Sequence, residues 1–271
     1  MPILRTRIAL FSPTGTTRNV LDAIAAGIGA AITSRHDLTL PVERNAGGWN
    51  RPSPGDLAVI GVPVYAGRVP SLAVERLKAS VKGGEMPAAL VVVYGNRAFD
   101  DALLELRDLA VELGFAPVAG AAFVGEHSFS TRRWPVAQGR PDAADLALAR
   151  NFGRRVRELL EGCDDPARMP KLTVPGNFPY REGMQTAAIS PDTDDAACVL
   201  CGECARRCPT GAVRLEAAAL ETSKELCLRC LACVRACPTG ARAMLHPRIL
   251  DFGRVLHEQH GQRKEPQIFM P

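Results

Sequence analysis

The sequence predicts an α/β protein in two parts: a five-stranded parallel sheet with helices on both faces, then a small α+β domain built around cysteines. Three observations carry this. Over residues 1–162 five apolar segments alternate with helical patterns, the signature of a parallel sheet covered on both sides. Segments such as LAVIGVPVY and AALVVVYG are apolar throughout, as strands buried on both faces must be. Eight of the nine cysteines then fall between Cys198 and Cys237.

In chain order the expected strands are Arg7–Ser12, Asp37–Val42, Leu57–Tyr65, Ala88–Tyr94 and Val118–Val124. A helix over Thr16–Ile32 places Val20, Leu21, Ile24, Ile28 and Ile32 on one stripe. Within it, Gly27 and Gly29 read as a packing feature. Pro70 opens a second helix carrying Leu72, Val74 and Leu77. Asp100 or Asp101 caps a third, with Leu103, Leu106, Ala110 and Leu113 inward and an end at Gly114. Another runs from Asp142 to Leu160 and stops at Gly162, leaving Cys163 as an incidental thiol. The stretch Glu43–Gly55 is too short for a normal helix with its loops, so the second crossover is abbreviated.

Composition bounds the rest. At 271 residues the chain holds one or two domains, and 46% apolar with 23% charged content is ordinary for a globular protein. No apolar run approaches the ~18 residues of a membrane span, and the N-terminus does not read as a signal peptide, so a cytoplasmic protein is expected. A net charge of +4, evenly spread, gives no case for nucleic acid.

The cysteines read Cys198-x2-Cys201-x2-Cys204-x3-Cys208-Pro209 and Cys227-x2-Cys230-x2-Cys233-x3-Cys237-Pro238. Each half has the spacing of bacterial 4Fe-4S ligation, in which the fourth cysteine serves the other cluster. One cluster is therefore expected on Cys198, Cys201, Cys204 and Cys237, the second on Cys227, Cys230, Cys233 and Cys208. Residues 198–215 match 227–244 at nine of 18 positions, an internal repeat. A disulfide framework would need a secreted context, and zinc sites use paired knuckles, not a triplet plus a distant fourth thiol.

Open sheets of this kind bind ligands at the carboxyl ends of their strands. After the first strand, Ser12-Pro13-Thr14-Gly15-Thr16-Thr17 leads into a helix. Ser12, Thr14, Thr16 and Thr17 supply hydroxyls, Gly15 a turn, and the helix N-terminus backbone donors, with Arg18 nearby: a cradle for a terminal phosphate. There is no G-x-x-x-x-G-K-[ST], and no G-x-G-x-x-G in a strand-to-helix turn, so nucleoside-triphosphate and dinucleotide readings fail. Two of the three tyrosines, Tyr65 and Tyr94, end the third and fourth strands, where an aromatic ring can stack on a planar ligand.

On these motifs the chain resembles a family of flavodoxin–ferredoxin fusions. Residues 196–246 resemble a bacterial two-cluster ferredoxin, and the N-terminal loops resemble those of flavodoxins. The resemblance implies a flavodoxin-like five-stranded sheet in order 2-1-3-4-5 and FMN as cofactor. It further implies FMN loops containing Tyr65, Ala66, Gly67 and Arg68 after the third strand, and Tyr94, Gly95, Asn96, Arg97, Phe99 and Asp100 after the fourth. Gly67 would turn its carbonyl toward the flavin ring. His127, in the loop after the fifth strand, is a candidate flavin neighbour.

The expected units are residues 1–162 (flavodoxin-like), 163–197 (ordered linker), 198–245 (two-cluster ferredoxin) and 246–271 (C-terminal extension). In the linker, Val174–Tyr180 is too aromatic to be left in water. It is expected to pack over the flavin edge or the ferredoxin unit. In the extension Ile249, Leu250, Phe252, Val255 and Leu256 have helical spacing. The functional expectation is an electron-transfer iron–sulfur flavoprotein of anaerobic or microaerobic metabolism. It passes single electrons between two 4Fe-4S clusters and FMN, with other redox proteins as donor or acceptor. The alternative is a flavin-dependent reductase of a quinone or nitro compound, with His127 or Arg97 as its acid.

Overall fold

A computed structural model describes residues 2–41, 49, 52–163, 169–183, 187–216 and 219–271. Strands β1 (Arg5–Leu10), β2 (Ala31–Asp37), β3 (Asp56–Pro63), β4 (Pro87–Tyr94) and β5 (Ala116–Val124) form a parallel sheet in the flavodoxin-like order 2-1-3-4-5. Side chains alternate across it. Ile8 and Leu10 enter one core, Ala9 and Phe11 the other. Of helices α1 (Thr16–Ile28), α2 (Ser71–Ser80), α3 (Ala102–Glu112) and α4 (Ala143–Glu161), the first and last cover the Ile8 face and the middle two the Phe11 face.

α1 and α4 approach backbone to backbone. A Cβ on Gly27 would lie 1.9 Å from Arg150 O, and one on Gly153 would lie 2.1 Å from Ile24 O. Gly27 is thus a packing residue, whereas Gly29 lies outside the helix as its left-handed terminator, φ 69°. That terminator corrects two expectations: the helix stops at Ile28, and the second strand is Ala31–Asp37, not Asp37–Val42. β2 is an edge strand with little buried surface, so its sequence AITSRHD lacks the apolar signal that drew attention to the segment after it. Ile32, expected in the helix stripe, is 46% exposed on this strand. Val42, and most of the expected short crossover at Glu43–Gly55, lie outside the described residues.

The second helix is centred on Ala73 and Leu77, with Leu72 and Val74 only partly buried beside them. Asp101 precedes α3 but does not cap it with its side chain. Its carboxylate instead accepts the Asn177 and Arg181 N–H groups at 2.8 and 2.7 Å. The segment 172–181 is therefore strapped along α3: Leu172 and Val174 enter the core, and Tyr180 Oη donates to Asp108 at 2.6 Å. Its end meets the loop after β3, where Arg68 Nη1 donates to Arg181 O at 2.5 Å, and Phe178, expected to be covered, remains 78% exposed.

The cysteine-rich part consists of two short antiparallel pairs, β6 (Asp192–Thr193) with β9 (Arg242–Ala243) and β7 (Val213–Glu216) with β8 (Ala219–Thr222). Helices α5 (Glu203–Arg206) and α6 (Ala232–Ala236) carry the third cysteine of each motif. Its buried core is small, one cluster of Cys204, Val213 and Cys233 and another of Ile189, Leu231 and Met244, and units this small commonly draw on a metal centre for stability.

The chain then returns to the sheet. α7 (Pro247–His260) buries Gly253 and Leu256, while Leu250 and Phe252 stay 44% and 43% exposed. β10 (Gln267–Phe269) adds antiparallel to β5, making a sixth strand the sequence pattern did not announce. Asn96 and Arg140 hold the intervening turn: Asn96 Nδ2 donates to His260 O and Gln262 O, and Arg140 Nη1 to Lys264 O. Among the described residues no helix is long and apolar enough to cross a membrane.

Candidate functional site

Loops leaving the carboxyl ends of β1, β3, β4 and β5 surround a cleft of about 300 Å³. Nine of the expected flavin-site residues line it: Thr14, Thr16, Tyr65, Ala66, Gly67, Tyr94, Gly95, Arg97 and His127. At the β1 loop, Gly15 takes φ 84° and α1 begins at once behind it. Ser12 is spent on the loop itself, accepting Arg18 N–H on Oγ at 3.1 Å and donating its own N–H to Thr39 at 2.8 Å. Thr17 is buried with its Oγ1 unpartnered, an orphan hydroxyl in the first turn of the helix. Arg18 pairs with Asp37 at the end of β2.

The other expected residues support the loops from outside the cleft. Arg68 turns outward to grip Glu105 through Nε and Nη2 at 2.7 and 2.8 Å, and its guanidinium lies 4.8 Å over the Tyr180 ring. Asn96 holds the end of α7, Phe99 packs edge-on against Tyr94 and Phe269, and Asp100 pairs with Arg97 and Arg181. Ala66 and Gly67, at φ 52° and 80°, form a two-residue turn closed by reciprocal Tyr65–Arg68 backbone bonds. The Gly67 carbonyl accepts Asp101 N–H at 3.1 Å, so it points away from the cleft, and a flip toward a flavin would have to break that bond.

His127 lies flat against Gly95, where an added Cβ would meet its ring at 2.4 Å. Burial, then the charges of Arg97 and Arg235, lower its pKa to about 4. Its Nδ1 accepts Phe129 N–H at 3.0 Å, so the ring is neutral near pH 7 and can act as a polar wall but not as an acid. Tyr65 is held protonated, first by burial and then by the neighbouring Cys230 thiol. That neighbour belongs to the cysteine-rich part.

The far wall of the cleft is made by residues with no flavodoxin-loop signal. Leu228 and Arg229, inside Cys227-x2-Cys230, line it, as do Ile249 and Phe252 of α7. Each motif makes a further contact with the first part of the chain: Arg235 of the second faces Glu126 at 3.7 Å, and Arg76 Nη2 donates to the carbonyl of Pro209, at the end of the first, at 2.7 Å. Sequence reasoning had Leu228 and Arg229 only as spacers between ligands. No local signal could have placed them here, because the contact joins segments about a hundred residues or more apart in the chain.

The thiols fall into two groups. Cys198, Cys201, Cys204 and Cys237 line one small cavity. Cys227, Cys230, Cys233 and Cys208 form the other, where burial and then mutual repulsion raise the pKa values of the first three, Cys230 to about 12. A thiol held protonated like this is a poor free nucleophile but binds metal by losing its proton to it. Among the described residues no three His, Cys, Asp or Glu side chains converge on a single metal-ion position. Four thiols spread around a cavity suit a multi-iron core. Cys163, half-buried after α4, belongs to neither group.

Residues 190–238 match the 4Fe-4S dicluster domain family. Among solved structures the chain is similar to a flavodoxin from the domain Archaea, at 14% identity and TM-score 0.39 over 58% of this chain and 99% of that one. A WrbA-like flavodoxin from Agrobacterium tumefaciens gives 17% and 0.36 over 58% and 98%. An apo NADH:FMN oxidoreductase gives 16% and 0.42 over 60% and 92%. No curated protein matches the chain. The strand order stands on its own backbone pairing, and the Cys227–Cys230 loop lines the cleft at the carboxyl ends of those strands.

Proposed function

We propose that the protein is an electron-transfer flavoprotein with FMN in the cleft and two 4Fe-4S clusters, one on Cys198, Cys201, Cys204 and Cys237 and one on Cys227, Cys230, Cys233 and Cys208. The observation that carries this is the shared wall: the Cys227–Cys230 loop lines the same cleft as the hydroxyl-rich loop after β1 and the tyrosines after β3 and β4. When bound, iron–sulfur clusters exchange single electrons and a flavin takes one or two. The residues of this chain would hold and separate them. Thr14, Thr16 and the α1 N-terminus would bind the phosphate, with Thr17 Oγ1 beneath. Tyr65 and Tyr94 would flank the ring, and neutral His127 would keep water from one edge. Tyr65 lines the cleft and lies close enough to Cys230 for the two to interact. The order is then external redox protein, first-motif cluster, second-motif cluster, FMN, traversed in either direction. The neutral His127 and the paired Arg97 supply no acid for a small-molecule reductase, which favours the carrier.

Anaerobic purification with iron, sulfide and flavin quantified tests this. About eight irons and one FMN per chain are expected. Zinc in place of iron, or no flavin, would overturn it.

A further inference from the structure

At one buried position the two halves of the cysteine repeat differ in charge. Five residues after Cys208 stands Val213; five after Cys237 stands Arg242. Val213 is buried between Cys204 and Cys233, an ordinary apolar filler. Arg242 is buried just as deeply, at 3% exposure, but carries a charge. Its Nη1 donates to Thr193 Oγ1 at 2.7 Å and Thr222 Oγ1 at 3.1 Å, and its Nη2 points at Cys233 Sγ at 3.7 Å. It also lines the cavity shared by Cys198, Cys201, Cys204 and Cys237. The one side chain therefore reaches both thiol groups. Its Nε is buried without a partner, and among the described residues no carboxylate pairs with it. A buried guanidinium whose neighbours are two hydroxyls and a thiol is costly unless a negative charge arrives.

We infer that Arg242 is a positioning residue for charge: a fixed cation between the two clusters that raises the reduction potential of both. The inference rests on the proposed two-cluster reading. Eight metal-bound thiolates outweigh the charge of the iron cores, so each cluster is anionic and becomes more so by one unit on reduction. Arginine keeps its proton throughout, so one electron enters and no proton follows it. At an effective dielectric constant of about 20, a full charge even ~10 Å away biases such an equilibrium about tenfold. Val213, at the matching position, gives no such bias.

The test is a spectroscopic redox titration of the full-length holoprotein, wild type against Arg242→Gln and Arg242→Lys. Wild type without about eight irons would overturn the two-cluster reading itself, independently of Arg242. With eight irons retained, Arg242→Gln is expected to make both clusters at least tenfold harder to reduce, 59 mV for one electron, while Arg242→Lys keeps most of the wild-type value. Eight irons with unchanged potentials in Arg242→Gln would overturn the inference. If Arg242→Gln fails to hold its irons, Arg242→Lys decides. Full loading there shows that the site needs the charge; loss of iron there too shows that Arg242 acts only as a clamp on Thr193 and Thr222.

Discussion

The two cysteine motifs share spacing and nine of 18 residues, yet the loops between their first and second cysteines have different surroundings. Around the first motif Cys201 is exposed, with Val199 and Leu200 64% and 40% open to solvent. Around the second, Cys230 is buried and the matching pair, Leu228 and Arg229, walls the cleft. The repeated arginines diverge the same way. Arg206 folds back on Glu203 and Cys201 O within its own motif, whereas Arg235 faces Glu126 across the junction with the sheet. Near-identical local sequence can thus supply an outward port and an inward contact. The assignment comes from what the rest of the chain packs against each copy.

The strongest way to break this comparison is to remove one thiol from each half. Cys230→Ser is expected to abolish electron exchange between the dicluster domain and the flavin, because it damages the cluster beside the cleft. Cys201→Ser should leave that exchange intact and stop delivery from a protein partner. Stopped-flow reduction with a small chemical donor and with a protein donor, monitored at flavin wavelengths, separates the two. Equal loss in both variants would erase the distinction between port and contact.

A smaller effect isolates the junction itself. His127 titrates near pH 6.5 in the unfolded chain but only at about 4 when folded. Between those values the unfolded state binds the extra proton, so stability is full above about pH 6.5 and falls as pH drops toward 4. The contribution is roughly 3 kcal/mol at most. His36 and His260 are also shifted down by burial and act in the same direction. The difference between wild type and His127→Gln in melting temperature against pH therefore reads His127 alone. Parallel profiles would show that the ring is not buried as described. The smallest effect compares the arginines: Arg235→Gln should weaken protection of the 125–129 loop from hydrogen exchange by ~1 kcal/mol or less, and Arg206→Gln, on a solvated helix, should leave that loop unchanged.

Much of this molecule was legible from its residues. β3 and β4 are buried at every position, and a strand with no polar face announces itself. β2 did not, because an edge strand with one buried residue has no apolar pattern to read. β10 was missed because three residues at the end of the chain pair with a strand about 150 positions away. In the cleft, the residues whose backbone shapes a loop were found: Ala66, Gly67 and Gly95. Arg68, Asn96, Phe99 and Asp100 share those loops but face Glu105, the end of α7, Tyr94 and Arg181. Loop membership says which residues are near a ligand, not which way each one points.

By itself the sequence determined the parallel α/β class and the two cysteine motifs. It also marked a hydroxyl-rich turn at a strand's carboxyl end. Those depend on periodicity and short spacings, which local chain geometry enforces. Only the tertiary structure decided which motif lines the cleft, that α7 returns to wall it and β10 to pair with β5, and that a buried cation lies beside both thiol groups. Those depend on contacts between distant segments, whose geometry no stretch of local sequence encodes.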